Sequence, residues 1–225
     1  TTHTPVPAGN ETHAIERLNT VGANVAGLSH EQLVQIGGDP FQMTPAALRL
    51  CRKANAVAEL HGETARKMWA DVEGAAPIVA ITNGVHMGTW QDAVLAGHSR
   101  RSEWDAMWER HQQHKRQLLG EIRDRVGAHL REDTLLIGFA RREATYKRAT
   151  LLIQDREWLK ARFEQDGLQL VFAGKAHPHD QYGQAFIEEL VQTAKQYPNN
   201  LVFLPNYDMH LGALLTRGTD VWLNN

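Results

Sequence analysis

From Leu135 onward, short apolar runs typical of β-strands alternate with longer amphipathic segments typical of helices. The predicted strands are Leu135–Ala140, Leu168–Ala173, Leu201–Leu204 and Asp220–Leu223, and the predicted helices lie near 149–164, 183–197 and 208–217. Such alternation is the pattern of βαβ units, in which a helix carries the chain back so that consecutive strands run parallel. The sequence therefore predicts an α/β fold with a doubly wound parallel sheet and flanking helices.

Two long helices are predicted before this region. Thr44 and Pro45 suit the N-cap and first helical position of one helix, which Gly62 is expected to break or kink. The other helix is predicted to begin with Ser102 and Asp105 as its capping pair. The apolar face predicted for this second helix consists of Trp104, Met107, Trp108, Ile122 and Val126.

A domain boundary is predicted between residues 83 and 84. Pro77–Thr82 has the composition of a buried strand, and Asn83-Gly84 directly after it is a turn signal. We therefore predict that residues 1–83 and 84–225 belong to different domains.

Composition limits the classes of function. A net charge of −2 over 225 residues gives no general attraction to nucleic acid or to an anionic membrane, so neither partner is predicted. The longest apolar runs are far shorter than the ~20 residues of a membrane-spanning helix. Cys51 is the single cysteine, which rules out an internal disulfide and favours a reducing, cytoplasmic location.

The predicted strand ends carry polar and cationic side chains. Ligands of open parallel sheets bind beyond the carboxyl ends of the strands, where loops and helix N-termini present hydrogen-bond donors. The residues at those ends are Asn83, Arg141, Arg142, Lys175, Tyr207, Asp208 and Asn224. With Lys147 and Arg148, the two arginines put four cations within eight residues, which suits charge-assisted binding of phosphate. The alternative is a solvent-exposed basic helix start, which the helix dipole disfavours.

The chain has twelve histidines, which raises the question of a metal site. The groups considered are His177 with His179 and His111 with His114. Neither has cysteine partners or the histidine and glutamate spacing of a zinc hydrolase. No metal is predicted.

Several segments resemble, in the same order, the α-glucan phosphorylase family of glycogen, starch and maltodextrin phosphorylases, particularly its shorter bacterial and archaeal branch. They are Thr1–Gly9, Met43–Pro45, Asn55–His61, Ile81–His86, Gly138–Arg142, Ala144–Arg148, Val171–Ala176, Asn206–Leu211 and Asp220–Asn225. Each segment is weak alone, but the ordered series spans nearly the whole chain and is highly specific. The chain is identified as resembling an internal part of that family.

The resemblance implies the GT-B architecture, in which two Rossmann-like domains face each other across a cleft. This chain would hold the end of the first domain and the start of the second. The implied reaction is reversible phosphorolysis of terminal α-1,4-linked glucose to glucose 1-phosphate, with retention and without a catalytic carboxylate pair. The implied partners are α-1,4-glucan and inorganic phosphate or glucose 1-phosphate, and a homo-oligomer of the full-length enzyme is compatible with the resemblance.

The implied cofactor is pyridoxal 5′-phosphate, whose attachment lysine in the family follows the position of Asn225 and is not present in this chain. The isolated chain is therefore expected to be inactive. The resemblance places the cofactor phosphate close to the substrate phosphate, which would account for a dense cationic cluster. The residues that match cofactor-binding positions are Arg141, Trp90 and Tyr207.

The resemblance also implies catalytic positions. His3 and Asn83 would contact the glucosyl unit, and Tyr146 would support a sugar hydroxyl. Arg142 and Lys147 would hold the substrate phosphate.

Two other functions stay open. A nucleotide-sugar glycosyltransferase, such as a glycogen or starch synthase, shares the two-domain architecture and also uses arginine and lysine on phosphate. A non-enzymatic glucan-binding fragment is the second alternative. Pyridoxal absorbance and phosphate-dependent release of glucose 1-phosphate would support a phosphorylase, whereas turnover of UDP- or ADP-glucose would support a synthase.

Glu143 departs from the family, which usually has an apolar residue at this position. A carboxylate there could pair with Arg142 and compete with phosphate. We therefore predict that Glu143→Phe in the full-length enzyme strengthens phosphate affinity, measured from phosphate saturation curves. Superimposable curves for the native and substituted enzymes would contradict this prediction.

Overall fold

The computed structural model describes residues 9–24, 26–143, 151–178 and 180–224. The chain divides into two compact units, Thr1–Val85 and His86–Asn225. No helix within the described residues is long and apolar enough to cross a bilayer. The assignment of residues 1–83 and 84–225 to two different domains of the family stays a prediction.

The first unit combines short helices with two small sheets. Its helices are α1 (Ile15–Thr20), α2 (His30–Gly37), α3 (Met43–Leu50) and α4 (Glu59–Met68), and its strands are β1 (Thr12–His13), β2 (Phe41–Gln42), β3 (Ala54–Ala56) and β4 (Ile78–Ala80). Strands β1 and β2 pair antiparallel, whereas β3 and β4 pair parallel. A small core lies in the first part of this unit, where Ile15, Leu33, Phe41 and Ala46 are buried together.

The long helix predicted from Thr44 is wrong. Helix α3 begins at Met43 after an N-cap at Gln42, so Pro45 lies in the first turn, where a missing N–H costs little. The helix ends at Leu50, and the chain then forms β3, which pairs with β4. This contact between residues distant in sequence overrides the local helical preference. Gly62 does not break a helix but lies buried within α4.

The strand predicted at Pro77–Thr82 is shorter and more exposed than expected. It comprises only β4, and Val79 is 47% exposed. Ile81, just after the strand, is 59% exposed. Within the described residues β4 pairs with β3 alone, which leaves the other edge of β4 without a strand partner.

The second unit has the predicted α/β architecture. Its strands are β5 (Leu136–Glu143), β6 (Gln169–Ala176), β7 (Leu201–Leu204) and β8 (Val221–Trp222). Its helices are α5 (Met87–Trp90), α6 (Ala93–Arg100), α7 (Trp104–Val126), α8 (Leu151–Gln154), α9 (Arg156–Gln165), α10 (Gln181–Gln196) and α11 (Met209–Gly218). The four strands form one parallel sheet, which confirms the fold class drawn from the alternating pattern.

Both faces of this sheet are covered, as the continuous apolar runs of its strands require. Along β6, Leu170 and Phe172 pack in one core with residues of α9 and α10. The alternate residues Val171 and Ala173 pack in a second core with residues of α7 and α11. A side chain's position along a strand therefore decides which helical layer it meets.

The strand order defines where a ligand would bind. The order across the sheet is β7-β6-β5-β8. Strands β6 and β7 are therefore added on one side of β5, and β8 is then added on the other side. This is the order of the first four strands of a doubly wound nucleotide-binding sheet, with its switch point between β5 and β8. Ligands of such sheets bind at the carboxyl ends of the strands near that point.

Helix α7 buries a different face from the predicted one. Trp104 and Trp108 are 59% and 57% exposed, and the helix follows an N-cap at Glu103 whose side chain makes no cap hydrogen bond. The buried side chains of α7 are His114, Lys115, Leu118 and Ile122, of which only Ile122 was predicted. Of the predicted apolar face only Ile122 is buried, since Val126 is 39% exposed.

Asp220, just before β8, holds two side chains of α7, the buried Lys115 and the half-buried His111. Lys115 Nζ lies 2.6 Å from Asp220 Oδ2 and also donates to the Thr134 carbonyl at 2.7 Å. His111 Nε2 lies 2.8 Å from Asp220 Oδ1, and the Leu136 N–H donates to Oδ2 at 2.8 Å. Burial opposes ionisation of Asp220, but these hydrogen bonds outweigh it and lower the pKa of the carboxyl.

Removing the lysine should therefore destabilise the second unit. We predict that Lys115→Met lowers the free energy of unfolding by roughly 3 kcal/mol, because it leaves a buried carboxylate short of its cation. The measurement is urea unfolding followed by tryptophan fluorescence. Lys160→Met, at an exposed position of α9, is the matched control and should change stability little. Equal losses in the two variants would contradict the prediction.

Candidate functional site

The carboxyl end of β5 carries the predicted phosphate-binding arginines. The strand runs to Glu143, so Arg141 and Arg142 belong to its last three residues and not to the following loop. Because side chains alternate along a strand, Arg141 and Glu143 share one face and Arg142 lies on the other. The strand therefore distributes its cations to both helical layers.

Arg142 stands beside a second cation. It is the direct partner of Lys175 in the parallel pairing of β5 with β6, and both side chains are exposed. Like charges opposite each other across two strands repel and destabilise the pair. An anion shared between the guanidinium and the ammonium would remove that repulsion, so this is the position of the sheet edge best suited to an anionic ligand.

Asp208 lies near the same edge, where it caps α11. Its Oδ1 accepts from the Leu211 N–H at 2.8 Å, and that hydrogen bond lowers the pKa of the carboxyl, with Arg125, His210 and Lys175 contributing through their charge. The carboxylate thus fixes the start of α11 and faces a cationic environment.

Trp90 and Tyr207, both predicted near the cofactor, come together in the structure. Their rings meet over Gly212 of α11: a Cβ on this glycine would lie 2.9 Å from the Tyr207 hydroxyl and 3.2 Å from Cζ3 of Trp90. Arg217 holds the backbone of α5 by donating to the Trp90 carbonyl at 2.9 Å. Burial, and then the charge of Asp208, raise the pKa of Tyr207, so its hydroxyl remains a hydrogen-bond donor.

Glu143 is buried, with a residue exposure of 1%. Neither of its carboxyl oxygens has a hydrogen-bond partner among the described residues. Burial raises the pKa of this carboxyl to about 7, although the charge of Arg141 opposes the shift. The pairing with Arg142 expected from the sequence is wrong, because adjacent strand residues point to opposite faces.

The neighbouring strand leaves room for this carboxyl. Gly174 of β6 lies beside it, and a Cβ on Gly174 would be 2.6 Å from Glu143 Oε1. Gly183 of α10 lies close to the Glu143 backbone carbonyl, since a Cβ there would be 2.8 Å from that oxygen. Two glycines therefore shape the pocket that holds the carboxyl.

The remaining predicted site residues lie in the first unit or outside the described residues. Asn83 lies in the first unit, exposed, with its N–H donating to the Val57 carbonyl at 3.0 Å. His3, Tyr146 and Lys147 lie outside the described residues.

No group of three histidine, cysteine, aspartate or glutamate side chains in the described ranges is arranged to hold a metal ion. His111 instead serves as a structural contact between α7, Asp220 and the Arg217 carbonyl.

Sequence reasoning missed two features of the site. The burial of Glu143 could have been anticipated from strand alternation, had β5 been extended past Ala140. The contact of both aromatic rings with Gly212 carried no local signal, because it depends on how α5 packs on α11.

Comparison with known proteins gives relatives over the full chain. An uncharacterised protein of Methanocaldococcus jannaschii is 36% identical over 226 residues, covering 100% of this chain and 43% of its own length. Maltodextrin phosphorylase of Thermococcus litoralis is 33% identical and glycogen phosphorylase of Mycobacterium tuberculosis 35% identical, each over 100% of this chain. The chain spans 32% and 33% of those two proteins. No family model matches the chain.

The raised pKa of Glu143 predicts a pH-dependent stability. Between about pH 4.5 and about 7 the unfolded chain releases this proton while the folded chain keeps it, so the free energy of unfolding falls as pH rises. The fall is up to about 3 kcal/mol, and it is complete above about pH 7. Glu143→Gln should remove this component.

Urea unfolding of the chain across this pH range checks the prediction. Glu157→Gln, at an exposed position of α9, is the control for loss of a surface carboxylate. Parallel pH profiles for the native chain and Glu143→Gln would contradict it.

Proposed function

The chain belongs to the phosphorylase family as a segment of it, and on this premise we propose that the protein containing it is an α-glucan phosphorylase. The proposed reaction is reversible phosphorolysis of terminal α-1,4-linked glucose to glucose 1-phosphate, with retention. The observation that carries the proposal is the pair of adjacent exposed cations, Arg142 and Lys175, at the carboxyl edge of the parallel sheet.

These cations suit the chemistry of phosphorolysis. Inorganic phosphate would donate a proton to the glycosidic oxygen and then bond to the anomeric carbon of the oxocarbenium-like sugar. The protein's part is to hold the phosphate charge in a fixed position, which arginine and lysine do by charge-assisted hydrogen bonds. We assign Arg142 to this role, with Lys175 beside it and Lys147 as the further cation implied by the resemblance.

The residues near Gly212 fit pyridoxal 5′-phosphate in chemical type. Trp90 and Tyr207 both approach Gly212 and offer aromatic rings and a hydroxyl donor, and Arg141 supplies a cation at the end of β5. The resemblance assigns all three residues to the cofactor, and of these Trp90 and Tyr207 lie together, whereas strand alternation places Arg141 on the other face of the sheet. When bound, the cofactor's phosphate group would supply a second charged group next to the substrate phosphate.

The rest of the proposal concerns the sugar and the architecture. We propose that His3 and Asn83 contact the glucosyl unit and that Tyr146 supports a sugar hydroxyl. The parallel sheet of the second unit, with its switch point between β5 and β8, is compatible with one Rossmann-like domain of a GT-B enzyme. A nucleotide-sugar glycosyltransferase is less favoured, because the named relatives are phosphorylases.

The test uses the complete protein that carries this sequence, with maltodextrin and inorganic phosphate as substrates. We predict phosphate-dependent glucose 1-phosphate release, and a fall of roughly 100-fold in kcat/KM for phosphate in Arg142→Ala. Arg100→Ala, at an exposed position of α6, should retain native kinetics. Turnover of UDP- or ADP-glucose, without release of glucose 1-phosphate, would overturn the proposal.

A further inference from the structure

We infer that Arg217 of α11 is a positioning residue that acts through Trp90: by holding the last carbonyl groups of α5, it keeps the Trp90 ring beside the Tyr207 hydroxyl over Gly212. Arg217 is not among the residues that the resemblance assigns to the cofactor. This role rests on the proposed function, in which Trp90 and Tyr207 are assigned to the cofactor, and deepens it by naming the contact that keeps the two side chains together.

Helix α5 has little to hold it in place by itself. It comprises the four residues Met87–Trp90, and none of them is buried. A single helical turn is not stable alone, because its nucleation costs more than its few hydrogen bonds return. The side-chain contact at its start, between His86 Nδ1 and Thr89 Oγ1 at 2.8 Å, is exposed to solvent. We therefore attribute the position of Trp90 to helix α11, against which α5 packs.

Arg217 supplies the anchor from α11. Its Nε donates to the Trp90 carbonyl at 2.9 Å and its Nη2 donates to the Thr89 carbonyl at 2.8 Å. Because the guanidinium is planar, two hydrogen bonds from it fix the direction of the accepting backbone as well as its distance. A positive charge at the carboxyl end of a helix is also favourable, since the last carbonyls have no partner within the helix. Arg217 thus fixes the backbone from which the Trp90 side chain extends.

The backbone of Arg217 is held in turn by α7. His111 Nδ1 lies 3.2 Å from the Arg217 carbonyl oxygen, and Nε2 of the same ring lies 2.8 Å from Asp220 Oδ1. Arg217 is itself half-buried. The two hydrogen bonds to α5 therefore extend from a fixed point of the fold.

Gly212 leaves the space that the Trp90 ring occupies. A Cβ on this glycine would lie 3.2 Å from Trp90 Cζ3 and 2.9 Å from the Tyr207 hydroxyl, so the ring and the hydroxyl reach the same point of α11. An aromatic ring and a hydroxyl donor at one point suit a flat heteroaromatic ring with polar substituents, by stacking and by hydrogen bonding. The pyridine ring of pyridoxal 5′-phosphate belongs to this class. A shift of α5 would separate the two groups.

The first test measures cofactor affinity in the complete protein that carries this sequence. The cofactor is removed, and pyridoxal 5′-phosphate is titrated back and followed by its absorbance. We expect Arg217→Met, which keeps an unbranched stem but no donor, to raise the Kd roughly tenfold. Arg217→Lys, which lacks the planar pair of donors, should give an intermediate Kd. Arg156→Met, which removes an arginine that joins α9 to α10 through Thr193 and Glu189, should bind the cofactor with native affinity.

A double-variant cycle shows whether Arg217 acts through Trp90. If it does, Arg217→Met adds little to the loss of affinity already caused by Trp90→Leu, whereas a general structural effect gives additive losses. Circular dichroism checks that each variant is folded, and Arg217→Lys takes the place of Arg217→Met in the cycle if the methionine variant does not fold. Additive losses, or native affinity in the folded Arg217 variant, would overturn the inference.

Gly212→Ala tests the ring position from the opposite partner. Its methyl group should displace the Trp90 ring and the Tyr207 hydroxyl and raise the Kd, although alanine is favourable within a helix. Gly120→Ala, at a glycine of α7 with open space around it, is the matched control and should keep native affinity. Equal affinity in the two alanine variants would contradict the assignment of the rings to the cofactor.

A second measurement reports the ring position without the cofactor. In the cofactor-free complete protein labelled with 5-fluorotryptophan, the fluorine NMR signal of Trp90 is identified by its loss in Trp90→Phe. It should shift in Arg217→Met and stay in place in Arg156→Met. If the signal shifts but the protein binds no pyridoxal 5′-phosphate, only the proposed function fails; if phosphorolysis occurs but the signal does not shift, only the inference fails.

Discussion

The carboxylate of Asp220 holds together the part of the fold on which the candidate site depends. Strand β8 is only two residues long and pairs with β5 through two residue pairs, too few to fix its position by themselves. Asp220 adds a hydrogen bond from the Leu136 N–H at the start of β5 and contacts with Lys115 and His111 on α7. This single side chain joins β5 and the start of β8 to helix α7, and so sets the switch point of the sheet.

Two buried carboxyls at opposite ends of the sheet have pKa values shifted in opposite directions. Near the amino ends of the strands, hydrogen bonds outweigh burial and lower the pKa of Asp220. At the carboxyl end of β5, burial outweighs the charge of Arg141 and raises the pKa of Glu143. The first carboxyl contributes to structure because its partners are present. The second holds its proton because burial removes it from water and the described residues supply no hydrogen bond to it.

The carboxyl edge of the sheet carries cations on both of its faces. Alternation along β5 sends Arg141 toward the layer of α9 and α10 and Arg142 toward the layer of α7 and α11. Arg142 there meets Lys175, and Tyr207 packs against the same second core. Two adjacent residues thus present cations on both faces of the sheet.

The amino-acid sequence by itself determined the strand and helix alternation, the parallel α/β class, and the cations at the end of β5, because these follow from local periodicity and from the position of polar residues after apolar runs. Only the tertiary structure decided that α7 buries Lys115 rather than Trp108, that residues after Leu50 leave the helix, and that Glu143 is enclosed. Each of these depends on a partner distant in sequence: Asp220 for Lys115, β4 for the pairing of β3, and Gly174 for the carboxyl of Glu143. Burial is a property of what packs against a residue, and no local pattern contains that information.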